Sequence, residues 1–285
     1  MDKTLALDGL TSLMRTRTLV MGIVNVTPDS FSDGGRFMAG GVPDLDGAVD
    51  AAMAMASDGA DIIDVGGEST RPGSARVSTD EELSRVIPVI EGIRRRSTIP
   101  ISIDTYKSSV AKAAAAAGAS IINDVSACDM DPDMSAVAAR VGCALILMHM
   151  KGSPEDMQRD PSYTDVVSEV RDYLLDRARS AEAAGVPHGR IMVDPGIGFG
   201  KTVAHNLALI NRLDEIASIG YPVVLGVSRK AFIGNVTGTS DPADRADGTL
   251  AACVAGIMRG ANIIRVHDVK SAIRAAAVTD AVMRA

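Results

Sequence analysis

The feature that most constrains this chain is a repeated unit: a short apolar run that stops on a polar residue, then a loop, then a helical segment. Eight such runs can be marked, at residues 19–24, 62–65, 99–103, 120–122, 144–148, 191–193, 223–226 and 263–266. The runs are almost continuously apolar rather than alternating, as in strands covered on both faces. The sharpest example is R-I-M-V-D-P-G-I-G-F-G-K at residues 190–201. Ile191, Met192 and Val193 end on Asp194; Pro195 stops further ladder pairing, and Gly196, Gly198 and Gly200 let the backbone turn tightly. A carboxylate followed by a bare glycine loop is a poor core and a good pocket floor.

The segments between the runs carry helical signals. Val166, Val170 and Tyr173/Leu174 make one apolar stripe. Thr79-x-x-Glu82 reads as a capping box, and Asp131-Pro132 and Asp160-Pro161 as helix starts. The alanine-rich residues 112–118 read as a tightly packed outer helix ended by Gly118. Eight strand–helix units without a linker or a break in composition predict an α/β fold, a single (β/α)8 TIM barrel. A doubly wound sheet is the alternative. It concentrates its site at one switch point, whereas here every run ends in polar residues.

Composition narrows the function classes. The chain has 285 residues, enough for such a barrel, and its 46% hydrophobic content includes only 3% aromatic residues, so the core is aliphatic. A net charge of −7 argues against a nucleic-acid partner. Cys128, Cys143 and Cys253 lie far apart and read as core residues, which fits a cytoplasmic location. No signal-peptide pattern or membrane-length apolar run is expected to place the chain elsewhere.

The strand ends list a chemistry. In order the runs lead into Asn25, Asp64 to Glu68, Asp104, Asn123-Asp124, His149, Asp194, Ser228-Arg229-Lys230, and Arg265-Val266-His267. In a barrel these converge on one face, where barrel enzymes carry their sites. Any one of them alone, Asp64 or Asp124 for instance, reads equally well as a cap of the next helix. Asp104 and Asp194 are acceptors, and Asn123 offers both a donor and an acceptor. A carboxylate takes two parallel N–H bonds from a guanidine-like ring edge. Lys230, Arg265 and His267 follow the seventh and eighth strands, the usual phosphate position of such barrels. The expected ligand therefore has a guanidine-like heterocycle at one end and phosphate at the other. Three rival readings are weaker. Gly196-x-Gly198-x-Gly200 lacks the dinucleotide spacing. A carboxylate metal centre of Asp64, Asp104 and Asp194 would usually add His or Glu at close range, and none is evident. Ser228 is not on a nucleophile elbow.

The motifs also resemble a known family. V-M-G-I-V-N-V-T-P-D-S-F-S-D-G-G at residues 20–35 resembles the first signature of the dihydropteroate synthases, and D-V-G-G-E-S-T-R-P-G at residues 64–73 the second. The resemblance continues through residues 102–105, 122–125, 148–150, 194–201, 228–230 and 265–268, nearly the whole chain from about residue 18, which implies a pterin-binding barrel domain over residues 18–285 with residues 1–17 as a variable N-terminal extension. It implies a folate-pathway transferase that joins 6-hydroxymethyl-7,8-dihydropterin diphosphate to 4-aminobenzoate in an SN1-like substitution, releasing pyrophosphate. By that resemblance Asp104, Asn123, Asp194 and Lys230 hold the pterin, flanked by Met148 and Phe199. Asn25, Arg265 and His267 hold the diphosphate, with Asn25 also on Mg²⁺. Phe31, Thr70, Arg71, Pro72 and Ser228 belong to the aminobenzoate side, which sulfonamides would copy. Asp104, Lys230, Arg265 and His267 are the implied catalytic residues, and a homodimer the implied assembly. A pterin-binding methyltransferase domain and a non-catalytic pterin-binding paralogue are the alternatives. The first needs no pyrophosphate site; the second would have lost phosphate or loop residues, and none is missing.

Overall fold

The computed structural model describes residues 3–27, 38–39, 42–70, 74, 76–153 and 156–285. The chain opens with helix α1 (Lys3–Met14) and strand β1 (Leu19–Asn25). A two-stranded antiparallel ribbon, β2 (Met38–Ala39) and β3 (Val42–Pro43), precedes α2 (Leu45–Ser57). Strand and helix then alternate: β4 (Ile62–Gly66), α3 (Thr79–Arg96), β5 (Ile101–Asp104), α4 (Ser108–Ala117), β6 (Ile121–Asp124), α5 (Met134–Val141) and β7 (Ala144–Met148). The second half continues with α6 (Val166–Ala183), β8 (Ile191–Asp194), α7 (Val203–Asn211), α8 (Leu213–Ala217) and β9 (Val223–Leu225). It ends on α9 (Ala231–Thr237), α10 (Ala246–Met258), β10 (Ala261–Val266) and α11 (Val269–Arg284). Strand β1 and strands β4 to β10 are parallel neighbours and close into a barrel where β1 pairs with both β4 and β10. The expected (β/α)8 barrel is the observed fold.

Local chemistry sets the element ends. Strand β5 begins at Ile101 because Pro100 has no N–H to give the ladder. Helix α3 carries Asp80, Glu81 and Glu82 in its first turn and Arg94, Arg95 and Arg96 in its last, complementing its dipole at both ends. Its cap is Ser78, whose hydroxyl accepts from Glu81 N; the expected cap Thr79 is already the first helical residue. The Asp160-Pro161 start is also displaced: α6 begins at Val166 with Asp165 as its cap. Asp131-Pro132 leads into a turn before α5, where Asp131 accepts from Ser108 N and Asp133 N. Gly118 does end the alanine-rich helix α4.

Side chains alternate across each strand. The outward set, with the inner faces of the helices, forms the large aliphatic core, which includes Val20, Val24, Ile63, Val65, Ile103, Leu147 and Val193. The inward set divides by depth. At the bottom of the lumen Leu19, Met21, Ile62, Ile121, Ile146, Met192, Val224 and Ile263 pack together, and α1 covers them with Leu7 and Leu10. Burying each of those two leucines contributes roughly 1.5–3 kcal/mol, so the N-terminal extension closes the barrel floor. Arg17 then binds Asp61 (Nη1–Oδ2 2.9 Å), which fixes the entry to β1. All three cysteines are buried, and none is in a disulfide. Among the described residues no helix is long and apolar enough to cross a membrane.

Candidate active site

Two residues further along the same strands, the inward positions turn polar. Above the bottom layer stand Asp64, Asn123, Met148, Asp194, Gly226 and Arg265, each two places beyond Ile62, Ile121, Ile146, Met192, Val224 and Ile263. Asp104 joins them, since β5 sets it beside Gly66 of β4 and Asn123 of β6. The strand period thus gathers most of the expected site residues in one layer at the C-terminal end of the lumen. Asn25 ends β1 at the same level, paired in register with Gly66. Gly66 leaves room there: a Cβ on it would stand 3.5 Å from both Asn25 Oδ1 and Asp104 Cβ.

Acids and cations are interleaved in this layer, where the sequence suggested two separate ends. Arg265 Nε donates to Asp64 Oδ2 at 2.6 Å and its Nη2 to Asp104 Oδ2 at 2.7 Å. Asn123 Nδ2 also donates to Asp64 Oδ2, at 3.3 Å. Burial pushes the Asp104 carboxyl up to about 7; Arg265 opposes the rise, while Asp64, Glu82 and Asp124 add to it. Burial pulls the Arg265 guanidinium down, but Asp64 and Asp104 outweigh it and leave it raised. The carboxylate metal centre is thereby replaced by a guanidinium-bridged acid pair. Among the described residues no group of three or more His, Cys, Asp and Glu is placed to hold a metal.

The far side of the layer is built around Asp194. Its Oδ1 accepts from Gly196 N at 2.7 Å, and its Oδ2 and the Lys230 ammonium lie 3.7 and 3.8 Å from where a Gly226 Cβ would be. Lys230 caps α9, donates to Ile197 O and sits over the Phe199 ring, 4.7 Å from its centroid. Burial raises the Asp194 carboxyl, opposed first by Lys230. Burial also lowers Lys230 to about 8, with Asp194 pulling the other way. Met148 and Phe199 meet in a small cluster with Tyr106, Val125, Met130 and Met150. Gly196 has φ +68°, and a Cβ there would collide with His149 O at 1.8 Å, so only glycine fits this turn.

The remaining candidates lie around the rim. Ser228 is buried, and its hydroxyl contacts His267 Nδ1 at 2.9 Å and accepts from His267 N at 3.3 Å. That joins the strand ends of β9 and β10. Thr70 is half-buried beyond β4. Phe31, Arg71 and Pro72 lie outside the described residues.

Two strand-end residues serve the scaffold. Asp124 points away from the lumen and accepts from Ser126 N and Oγ and from Cys128 N, at 2.7–2.9 Å. It thereby holds a turn in which Ala127 and Cys128 have positive φ. His149 is buried against Lys201 (Nδ1–Nζ 2.9 Å) and Tyr173, and burial with the neighbouring lysine takes it down to about 3. Lys201 also donates to His149 O and Phe199 O, at 3.3 and 2.9 Å. It ties the end of β7 to the glycine loop beneath Phe199. Glu68 turns outward to Tyr106 and Lys107, while Lys107 also reaches Glu82. Sequence reasoning read Asp64 only as a strand-end residue, a helix cap or a rival metal ligand, and gave Lys201 no role. Asp64 was signalled by strand parity with Ile62, Lys201 by nothing local.

Comparison with known proteins gives this geometry a context. Residues 21–267 match the family model described as pterin binding enzyme. The dihydropteroate synthase of Bacillus subtilis is 49% identical over 269 residues, 94% of this chain and 90% of that protein. The Yersinia pestis dihydropteroate synthase, solved with a sulfonamide drug, superposes with a TM-score of 0.89 at 42% identity, covering 94% of this chain and 95% of that one. The Xanthomonas albilineans enzyme in complex with 7,8-dihydropteroate gives a TM-score of 0.82 at 39% identity, covering 94% of each chain.

Proposed function

The chain belongs to the pterin-binding enzymes and, within them, to the dihydropteroate synthase family, and from that membership we propose how its lumen carries out the family's reaction. The activity is the condensation of 6-hydroxymethyl-7,8-dihydropterin diphosphate with 4-aminobenzoate to 7,8-dihydropteroate and pyrophosphate, a step of folate biosynthesis. The observation that carries the proposal is the inner layer itself: Asp104, Asn123 and Asp194 as acceptors, with Arg265 and Lys230 set among them.

In this reading Asp104, Asn123 and Asp194 bind the N–H-rich edge of the pterin. Each charge-assisted bond contributes roughly 1.5–3 kcal/mol in such a buried setting. Lys230 binds from the Phe199 side, and Met148 and Phe199 flank the ring. Arg265 and His267 stand on β10 and just beyond it, where the diphosphate would lie. Asn25 offers an amide oxygen at the lumen rim beside Gly66. One neutral oxygen fits Mg²⁺, which commonly keeps its waters and takes its other ligands from substrate phosphates. When bound there, Mg²⁺ would supply Lewis-acid stabilisation of the leaving pyrophosphate.

The chemistry asks little of a base. The bond from the pterin methylene carbon to the diphosphate oxygen breaks, and its electron pair leaves with pyrophosphate. Asp104 and Asp194 favour the cation that develops on the pterin, while Arg265 and His267 stabilise the departing charge. The aminobenzoate nitrogen attacks the methylene with its lone pair and then loses a proton to solvent. Thr70 and Ser228, with Phe31, Arg71 and Pro72, complete the aminobenzoate side, and sulfonamides would occupy it.

A homodimer and a cytoplasmic location complete the proposal. Met258 of α10 and Val278 and Val282 of α11 are exposed and line a groove between the two helices, a face suited to a second copy. The net charge of −7 favours small-molecule partners over nucleic acid. Incubation of the purified protein with both substrates and Mg²⁺ tests the activity. Dihydropteroate and pyrophosphate should appear in equal amounts and only when both substrates are present; pterin binding without either product would refute it.

A further inference from the structure

Asp64 lies fully buried in the inner layer and touches two of the proposed ligand contacts at once. Its Oδ2 accepts from Arg265 Nε at 2.6 Å and from Asn123 Nδ2 at 3.3 Å. Its Oδ1 is buried with no hydrogen-bond partner. Arg265 gives Nη2 to Asp104 at 2.7 Å, so one guanidinium bridges carboxylates on the neighbouring strands β4 and β5.

The bridge bears on ligand entry. Asp104 cannot offer both oxygens to a ring edge while Arg265 holds Oδ2. With Asp104 as its only protein anion, Arg265 would have no fixed partner once a ligand took that carboxylate, and only the ligand's own diphosphate could hold it. Asp64 removes this difficulty, because its contact with Nε survives the exchange. Asp64 also decides what Asn123 displays. An ionised carboxylate only accepts, so it takes one amide N–H and leaves the Asn123 carbonyl and the second N–H for the ligand.

We propose that Asp64 is a positioning residue that anchors Arg265 and orients Asn123, so that Asp104 can pass from Arg265 to the pterin. The proposal rests on the reading of this lumen as a pterin diphosphate site. Asp64→Asn tests it with little change in shape. The amide carbonyl can occupy the Oδ2 position and the NH₂ the Oδ1 position, so both hydrogen bonds survive and only the charge is lost. Arg265 then leans on Asp104 alone.

A contacting charge shifts a neighbour's titration by about one pKa unit or more, a tenfold effect per unit, so pterin diphosphate affinity should fall about tenfold or more. The KM for aminobenzoate should stay within about twofold, since Thr70 and Ser228, the described residues of its proposed pocket, are not among the hydrogen-bond partners of Asp64. The acid limb of kcat/KM for pterin diphosphate should also move to lower pH. Asp104 is faced by Arg265 of β10, Asp64 of β4, Glu82 of α3 and Asp124 of β6, with Lys230 beyond β9, and the variant removes one of the anions. A purely structural role would lower the melting temperature without moving that limb. Asp64→Ser removes the same charge from a smaller side chain and should shift affinity and limb in the same directions. Wild-type affinity and an unmoved acid limb in both variants would overturn the proposal. Failure of the wild-type protein to bind pterin diphosphate would instead overturn the reading beneath it.

Discussion

Arg265 and Asp104 neutralise each other across the lumen, Nη2 to Oδ2 at 2.7 Å, although the bound ligand would place one at its phosphate end and the other at its ring edge. In the free protein Asp104 is therefore already paired, and the ligand must replace an existing ion pair. That exchange makes binding sensitive to the protonation of the inner layer.

The pH dependence follows from two groups. Asp104 must be ionised to accept the pterin N–H groups, and burial sets it at about 7, so binding should weaken as pH falls below that value. Lys230 must be protonated to carry its charge, and burial sets it at about 8, so binding should weaken as pH rises above it. A plot of kcat/KM for pterin diphosphate against pH should be bell-shaped, with its maximum between these limits. A flat profile from pH 6 to 9 would mean that neither group titrates in the free enzyme as described.

Gly226→Ala should block the pterin without harming the fold. The added Cβ would lie 3.7 Å from Asp194 Oδ2 and 3.8 Å from Lys230 Nζ, ordinary contacts for the protein alone. It would, however, fill space on the lumen side where the ring should lie. A misplaced methyl in a fitted pocket costs about 1–3 kcal/mol, so pterin affinity should fall while the melting temperature holds. Calorimetric titration with pterin diphosphate and a thermal melt separate the two effects.

Val278→Glu should dissociate the proposed homodimer. Val278 is 67% exposed on α11, beside Val282 and opposite Met258 on α10. A carboxylate buried there in both copies would repel its mate and lose solvation. Sedimentation should show a dimer for the wild-type protein and a monomer for the variant; a wild-type monomer would remove this face from the account.

The barrel was legible because the eight runs are apolar on both sides and stop on polar residues. Strand period could have set Asn123, Asp194 and Arg265 inward, two residues beyond Ile121, Met192 and Ile263, and Asp124 outward. The pairing of cations with acids was not legible. Arg265 meets Asp104 across 161 residues of sequence, through closure of the barrel and the reach of a long side chain. Lys201 was hidden for the same reason: its ammonium folds back onto His149, 52 residues earlier. Helix starts failed by small shifts where several capping residues compete, as Ser78 does with Thr79.

The central claim is that Asp104 serves the pterin when the ligand is bound. Equilibrium titration of pterin diphosphate, with Mg²⁺, into the wild-type protein and into Asp104→Ala tests it most directly. Loss of two charge-assisted hydrogen bonds, roughly 1.5–3 kcal/mol each, should weaken binding by about a hundredfold or more. Near-normal affinity in Asp104→Ala would contradict the claim and place the pterin elsewhere.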